Sequence, residues 1–328
     1  MKNSTIDIKR FNELIKTFAN KKIAVVGDLM LDRYFWGRVT RVSPEAPVPV
    51  VDLKDESYHL GGAANVSANL RSLGLNVIQC GLIGKDEMGY KLVSLSEKLG
   101  IDCKGIFADD TRPTTVKTRV FGNNQQIVRL DTENTEIVDN AGERHILNIL
   151  HTEKNIDGVV FADYDKGVLT DIMIREVITE CRNRDIPVFV DPKYDNFYDY
   201  SKVNLFKPNR AEAELSLNYP INSDESVRKA GKDLLNKLRC DNVLLTLGSQ
   251  GMMLFESNSD VLSVPTKARN VADVSGAGDT VIATFCAIIA AGGSAKEAAT
   301  IANIAAGIVC GKAGVVSVTL DEIKADLT

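Results

Sequence analysis

Apolar residues along this chain fall into short β-branched runs, separated by stretches in which they recur every three or four positions. The runs are K-I-A-V-V-G (22–27), N-V-I-Q-C-G-L-I-G (76–84), D-G-V-V-F-A-D (157–163), I-P-V-F-V-D (186–191), V-N-L-F-K-P-N (203–209) and N-V-L-L-T-L-G (242–248). Continuous apolar runs of this length suit strands buried on both faces. Between them, A-A-N-V-S-A-N-L-R-S-L (63–73) and V-R-K-A-G-K-D-L-L-N-K-L (227–238) carry helical spacing, as do Phe11, Leu14, Ile15 and Phe18 near the start. The alternation predicts βαβ units and a mainly parallel central sheet flanked by helices. Several runs close on small or polar residues, namely Gly27-Asp28, Asp163, Asp191, Asn209 and Gly248. In open α/β sheets ligands bind beyond the carboxyl ends of the strands, so chemistry is expected there.

Two segments, about 34–58 and 111–131, break the pattern. They alternate like strands with no helix between the runs, and G-N-N (122–124) has the composition of a hairpin turn. Pro44, Pro47 and Pro49 suit a sheet edge or an extended stretch. Together these segments predict a small β-sheet lid inserted in a single α/β domain over residues 1–328.

Composition narrows the function classes. Hydrophobic residues make up 44 % and charged residues 25 % of 328, with a net charge of −5. An acidic chain is a poor general binder of nucleic acid, though a local basic pocket is compatible with it. The N-terminal segment is too charged for a signal peptide, and no apolar run reaches the ~20 residues of a membrane span. Six cysteines are scattered without a C-x-x-C pair, as expected of reduced thiols in the cytoplasm. The three histidines form no metal-binding cluster.

The chemistry-bearing stretch is V-A-D-V-S-G-A-G-D-T (271–280), which leads into the apolar run V-I-A-T-F-C-A-I-I-A-A. Glycines at a helix start let a ligand approach the backbone, and the free N–H groups there attract anions. A carboxylate at Asp279 would stand beside that anion hole and could accept a hydroxyl proton. The plainer alternative is a glycine turn with an acid favouring the helix dipole. L-G-G-A-A-N (60–65) opens another helix, either for a ligand or for tight packing. Thr246 with Gly248 and Gly251 could line phosphates. Asn209-x-x-Glu212 reads either as a helix cap with its returning Glu or as part of a metal site.

Taken in order, G-D-x-x-x-D (Gly27, Asp28, Asp32), G-G-A-A-N, N-x-x-E, T-x-G-x-x-G and D-x-x-G-A-G-D resemble the ribokinase/PfkB family of small-molecule kinases. Within it the chain is most similar to the D-glycero-β-D-manno-heptose 7-phosphate kinases. That likeness rests on G-D-L-M-L-D-R-Y, R-V-S-P-E-A-P-V-P-V, N-Q-Q-I-V-R-L-D, D-Y-D-K-G and S-G-A-G-D-T-V-I. Many relatives carry a fused nucleotidyltransferase domain with an H-x-G-H motif. This sequence has none, so either a kinase alone or the kinase part of a longer protein is expected.

The resemblance implies a ribokinase-like fold and transfer of the ATP γ-phosphoryl group to the anomeric hydroxyl of heptose 7-phosphate, towards ADP-heptose and lipopolysaccharide. It assigns Asp279 as base and the N–H groups of Gly276, Ala277 and Gly278 as anion hole. Asn209 and Glu212 would organise Mg2+ through water. Thr246, Gly248 and Gly251 would line the triphosphate, and Asn303 the adenine pocket. Asp28, Asp32, Gly61, Gly62 and Asn65 would hold sugar hydroxyls. Lys166, Lys193, Arg119 and Arg129 are the candidates for the 7-phosphate, each with a solvated surface charge as its alternative. Asp273 with the loop 311–318 resembles the monovalent-cation site of some relatives. A homodimer through the lid is expected, with no nucleic-acid or membrane partner. Rival readings are another PfkB sugar kinase, a dehydrogenase and a non-catalytic sugar-binding regulator. G-G-A-A-N does not meet the dinucleotide fingerprint, which disfavours the dehydrogenase.

Overall fold

The computed structural model describes residues 6–257, 261–266 and 271–327. In chain order its strands are β1 (Lys22–Gly27), β2 (Leu29–Val42), β3 (Pro49–Gly62), β4 (Asn76–Gly84), β5 (Asp102–Asp109), β6 (Thr115–Gly122), β7 (Gln125–Thr132), β8 (Gly158–Ala162), β9 (Val188–Asp191), β10 (Leu205–Phe206), β11 (Asn242–Thr246), β12 (Met252–Glu256) and β13 (Leu262–Val264). The helices are α1 (Ile8–Ile15), α2 (Ala63–Ser72), α3 (Glu87–Lys98), α4 (Asn140–Thr152), α5 (Asp171–Asn183), α6 (Arg210–Leu217), α7 (Asp224–Leu238), α8 (Ala277–Ala290), α9 (Ala295–Cys310) and α10 (Leu320–Leu327).

The large sheet has the order β13-β12-β11-β10-β9-β8-β1-β4-β5. Every pairing from β11 to β5 is parallel, and β12 and β13 add antiparallel at one edge. Side chains alternate between its faces, as strand geometry requires. Val25, Val160, Phe189 and Leu244 pack with α1, α2, α3, α8, α9 and α10 on one face. Val26, Phe161, Val190 and Leu245 pack with α4, α5, α6 and α7 on the other. Burial on both faces is why the inner runs read as unbroken apolar stretches. The edge strands β5 and β13 are absent from the expected runs, since an edge asks less of its sequence, and β12, paired on both sides, is absent as well. V-N-L-F-K-P-N contributes only Leu205–Phe206 as regular strand, because Pro208 has no N–H to continue the ladder.

The second sheet has the order β3-β2-β6-β7. β2 leaves β1 after one residue, so Leu29, Met30 and Leu31 are buried against the body while the outer half of the strand is exposed. The sheet therefore begins before position 34; L-M-L reads as core because the body covers it. Gly122 and Gln125 pair across the β6–β7 turn, with Asn123 and Asn124 at φ of 53° and 65°. A two-residue primed turn needs that left-handed backbone twice.

Candidate active site

The sheet directs its carboxyl ends to one rim, and the polar strand-end residues gather there. Asp28 follows β1, Asp163 and Tyr164 follow β8, Asp191 ends β9, Lys207 follows β10, and Thr246 ends β11. Helix α8 starts against this rim. Gly276 turns the chain at φ 77°, and a Cβ there would lie 2.7 Å from Asn65 Nδ2. A Cβ on Gly278 would lie 3.4 Å from Lys207 Nζ. No side chain caps α8, so first-turn N–H groups remain for a ligand, although Ala277 N–H turns back to the Val274 carbonyl at 3.2 Å.

Asp279 lies in that first turn and is 5 % exposed. Its Oδ2 accepts from Asn65 Nδ2 of α2 at 2.7 Å, and its Oδ1 accepts from the Tyr164 hydroxyl. Burial pushes its carboxyl up to about 6; nearby Asp191 adds to that rise, while the Tyr164 and Asn65 bonds and the Lys207 charge hold it back. The phenol of Tyr164 is driven well above its ordinary range, chiefly by burial and then by Asp279. Tyr164 is therefore a neutral donor to an acid that titrates close to neutrality, a state suited to proton transfer.

Two cavities adjoin beside Asp279, which lines the smaller of them. The smaller, of ≈ 230 Å³, is lined by Tyr164, Asp191, Lys193, Lys207, Asn209, Glu212, Thr246, Gly276, Gly278 and Asp279. Its charges alternate in pairs. Lys207 Nζ lies 2.9 Å from Asp191 Oδ1, and Lys193 pairs with Glu212. The larger, of ≈ 610 Å³, shares Asn209, Thr246 and Gly278 with it and extends past Gly248, Gly251, Val281, Asn303 and Cys310. Its walls are mostly apolar with a polar floor, as a flat heteroaromatic ligand with a charged tail requires.

The sequence-derived candidates divide among these places. Gly276, Gly278, Asp279, Asn209, Glu212, Thr246 and Lys193 converge on the smaller cavity. Ala277, Gly248, Gly251 and Asn303 line the larger one, with the Asn303 amide donating to the Pro265 carbonyl at 2.7 Å. Asn209 and Glu212 form a full capping box for α6: Asn209 Oδ1 accepts from Glu212 N–H at 2.9 Å and Glu212 Oε2 from Asn209 N–H at 2.8 Å. With Glu212 Oε1 on Lys193, that carboxylate has its nearest positions taken by the chain itself. No cluster of three or more His, Cys, Asp or Glu side chains able to cage a metal occurs among the described residues. These residues fit an ion that keeps its water and arrives on phosphate oxygens, the usual habit of Mg2+.

The remaining candidates lie towards the second sheet. Gly61 leaves room for Asp32, since a Cβ there would sit 2.5 Å from Asp32 Oδ2. Gly62 ends β3 at the start of α2, and Asn65 bridges from α2 to the acid. Asp32 pairs with Arg119, whose guanidinium stands over the Tyr34 ring. Arg129 pairs with Asp131 at 3.0 Å and Lys166 with Glu133 at 3.0 Å. Asp28 lines neither cavity. It is 1 % exposed and accepts backbone N–H bonds from Tyr164, Lys166 and Val168 at 2.7, 3.2 and 3.3 Å. Asp273 ties two loops together, accepting from Ser275 N–H at 2.9 Å and Gly314 N–H at 3.2 Å.

Tyr164, Asp191, Lys207 and Lys117 receive no individual role from sequence reasoning, although Asp191 is marked there as a strand end. The first three lie at or just after strand ends, which is the one signal they carry. Lys117 Nζ lies 3.4 Å from Asp131 and 3.6 Å from Glu133, and nothing local marks it among the chain's many lysines.

Comparison with known proteins agrees with this geometry. The model described as "pfkB family carbohydrate kinase" matches residues 20–322. The chain is 42 % identical to "Bifunctional protein HldE" of Trichlorobacter lovleyi, covering 98 % of this chain and 65 % of that protein. It is 44 % identical to the same-named protein of Citrifermentans bemidjiense, covering 92 % and 62 %, and 41 % identical to that of Helicobacter pylori, covering 92 % and 65 %. The chain thus spans less than two thirds of the length of these relatives. Among solved structures, phosphofructokinase-2 from Escherichia coli with substrates and products superposes with a TM-score of 0.77 at 17 % identity, over 94 % of this chain and 98 % of that one. Arabidopsis thaliana ribokinase with ribose and ATP gives 0.73 at 20 %, over 94 % and 98 %. The fold is ribokinase-like.

Proposed function

The chain belongs to the pfkB family of carbohydrate kinases, which are ATP-dependent enzymes, and from that premise we propose that its substrate is D-glycero-β-D-manno-heptose 7-phosphate, phosphorylated at the anomeric hydroxyl to the 1,7-bisphosphate. The observation that carries the transfer step is Asp279, a buried carboxylate held by two donors in the smaller cavity and next in the chain to Gly278, which lines both cavities. The attacking hydroxyl gives its proton to Asp279 as its oxygen bonds to the γ-phosphorus, and the bond from that phosphorus to the β–γ bridging oxygen breaks to release ADP. The N–H groups of Gly276 and Gly278 take up the charge gathering on the phosphoryl oxygens, joined by that of Ala277 once it leaves the Val274 carbonyl. Lys207, held beside Gly278, supplies a positive charge to the same place. When bound with the nucleotide, Mg2+ supplies charge neutralisation across the phosphates, and Asn209 and Glu212 would hold it through water. The base of the nucleotide fits the larger cavity.

The choice of a sugar phosphate rests on the lid sequence R-V-S-P-E-A-P-V-P-V and on the cations of the second sheet together with Lys166 of the turn after β8. Lys117, Arg119, Arg129 and Lys166 are balanced by Asp32, Asp131 and Glu133, partners that a phosphate dianion can displace. Asp32 and Asn65 remain for sugar hydroxyls. Asp28 serves instead through the backbone it binds, and Lys193 serves the transferring phosphoryl group.

The outer sheet also supports a homodimer. Every residue of β7 is exposed, and Val42, Leu53, Ile127, Val128 and Leu130 leave apolar surface on this sheet. An unpaired edge with apolar surface favours pairing with a second copy. No helix among the described residues is long and apolar enough to cross a membrane, and the six cysteines are unpaired, which suits the cytoplasm.

Release of ADP, measured with heptose 7-phosphate, fructose 6-phosphate, ribose and the unphosphorylated heptose, tests the substrate assignment. Heptose 7-phosphate is expected to give the highest kcat/KM. A higher value with another sugar would overturn the assignment while leaving the family intact.

A further inference from the structure

The turn between β8 and α5 is held more tightly than a connecting loop requires. Asp28 receives three of its N–H groups, from Tyr164, Lys166 and Val168. Asp163, the residue before Tyr164, is 2 % exposed and accepts from Asp165 N–H at 3.0 Å, Asn196 Nδ2 at 3.2 Å and the Tyr200 hydroxyl at 2.6 Å. Two buried carboxylates at neighbouring strand ends thus clamp the backbone on either side of Tyr164. They repel each other, and burial with that repulsion pushes the Asp28 carboxyl up to about 7. Such an arrangement is costly and persists where surrounding structure over-determines it. Its product is the placement of one hydroxyl, that of Tyr164, on Asp279 Oδ1.

The geometry points to Tyr164 as a positioning residue for Asp279, with Asp28 as the anchor that sets the Tyr164 backbone. This inference rests on Asp279 being the base. With Asn65 on Oδ2 and Tyr164 on Oδ1, the carboxylate plane is fixed, and each oxygen keeps a lone pair for the incoming hydroxyl. Tyr164 also favours the ionised form of the acid, because its hydroxyl donates to the charge. The other groups facing Asp279 are Asp191 at the end of β9 and Lys207 after β10, themselves paired. Lys193 stands 5.7 Å from the Tyr164 ring centre, and Asp32 acts on the phenol from the second sheet.

The test is a titration of Asp279 that needs no substrate. In protein labelled with carbon-13 at the aspartate carboxyls, the resonance lost in Asp279→Asn identifies the group. Tyr164→Phe keeps the ring and removes the donor, so the Asp279 midpoint should rise by about one pH unit. The acid limb of kcat/KM should move with it, with kcat/KM about fivefold down at pH 6 and recovering above pH 8. Asp28→Asn should move the midpoint in the same direction, and should add nothing in the Tyr164→Phe background. An Asp279 midpoint unchanged in Tyr164→Phe overturns the inference; equal Asp28→Asn shifts with and without Tyr164 overturn the anchor. If no sugar phosphate is turned over, the functional reading fails, and the titration alone still decides the role of Tyr164.

Discussion

The rim of the large sheet and the outer sheet use the same side-chain types in opposite ways. At the rim, Asp191 and Lys207 are paired at 2.9 Å and almost fully buried, and Asp279 has a donor on each oxygen. On the outer sheet, Lys117 shares Asp131 and Glu133 at 3.4 and 3.6 Å, and Arg129 is half exposed over Asp131. Buried pairs are fixed because either charge left alone is expensive. Exposed pairs are interchangeable because water and salt compete for them at little cost. The difference separates a preorganised reaction site from an adjustable recognition surface. Phosphoryl transfer gains from charges that do not move, and recognition of a phosphate gains from cations whose present partners are readily replaced.

The comparison breaks most directly at Asp279. Asp279→Asn keeps the shape and loses the proton acceptor, so kcat should fall by roughly 10²–10⁴ with ATP affinity nearly intact. Steady-state rates within a few-fold of the parent would remove Asp279 from the base role. Next is Lys207→Ala, which leaves Asp191 buried without its partner. A loss of about 3–5 kcal/mol in urea denaturation is expected, along with lost activity. Lys117→Ala on the outer sheet should cost less than about 1 kcal/mol in the same experiment.

A smaller effect sharpens the recognition half. Lys166→Ala should raise KM for heptose 7-phosphate about ten- to a hundredfold, with KM for ATP and turnover of the unphosphorylated heptose little changed. Lys193→Ala should instead lower kcat, since its ammonium faces the transfer cavity. If both variants behave alike, the two regions do not divide the work as described.

The smallest effect concerns pH. The buried Asp28 carboxyl, at about 7, lies above its unfolded value. Between the unfolded and folded values the native state binds the extra proton, so this group's contribution falls as pH rises from about 4 to 7. Asp28→Asn resembles the protonated form, and the stability gap between variant and parent should narrow by on the order of 1 kcal/mol from pH 5 to pH 8. A constant gap would show that Asp28 does not titrate there.

The sequence by itself determined the layered α/β architecture, because strands buried on both faces must be continuously apolar and helices must repeat every 3.6 residues. It also marked Gly276, Gly278 and Asp279, since a glycine helix start followed by an acid is a local signal with a local cause. Asn209 and Glu212 were equally visible, and their capping geometry is likewise local. Only the tertiary structure decided what surrounds Asp279. Asn65 lies 214 positions away and Tyr164 115 positions away in the chain, and no pattern within a window links them. It also sent Asp28 to the 164–168 backbone and Lys193 to Glu212. A carboxylate's partner is chosen by which strand ends adjoin in the sheet, and β8 neighbours β1 although six strands, β2 to β7, lie between them in the chain. Local physics writes the elements, and the order of strands across the sheet writes the site.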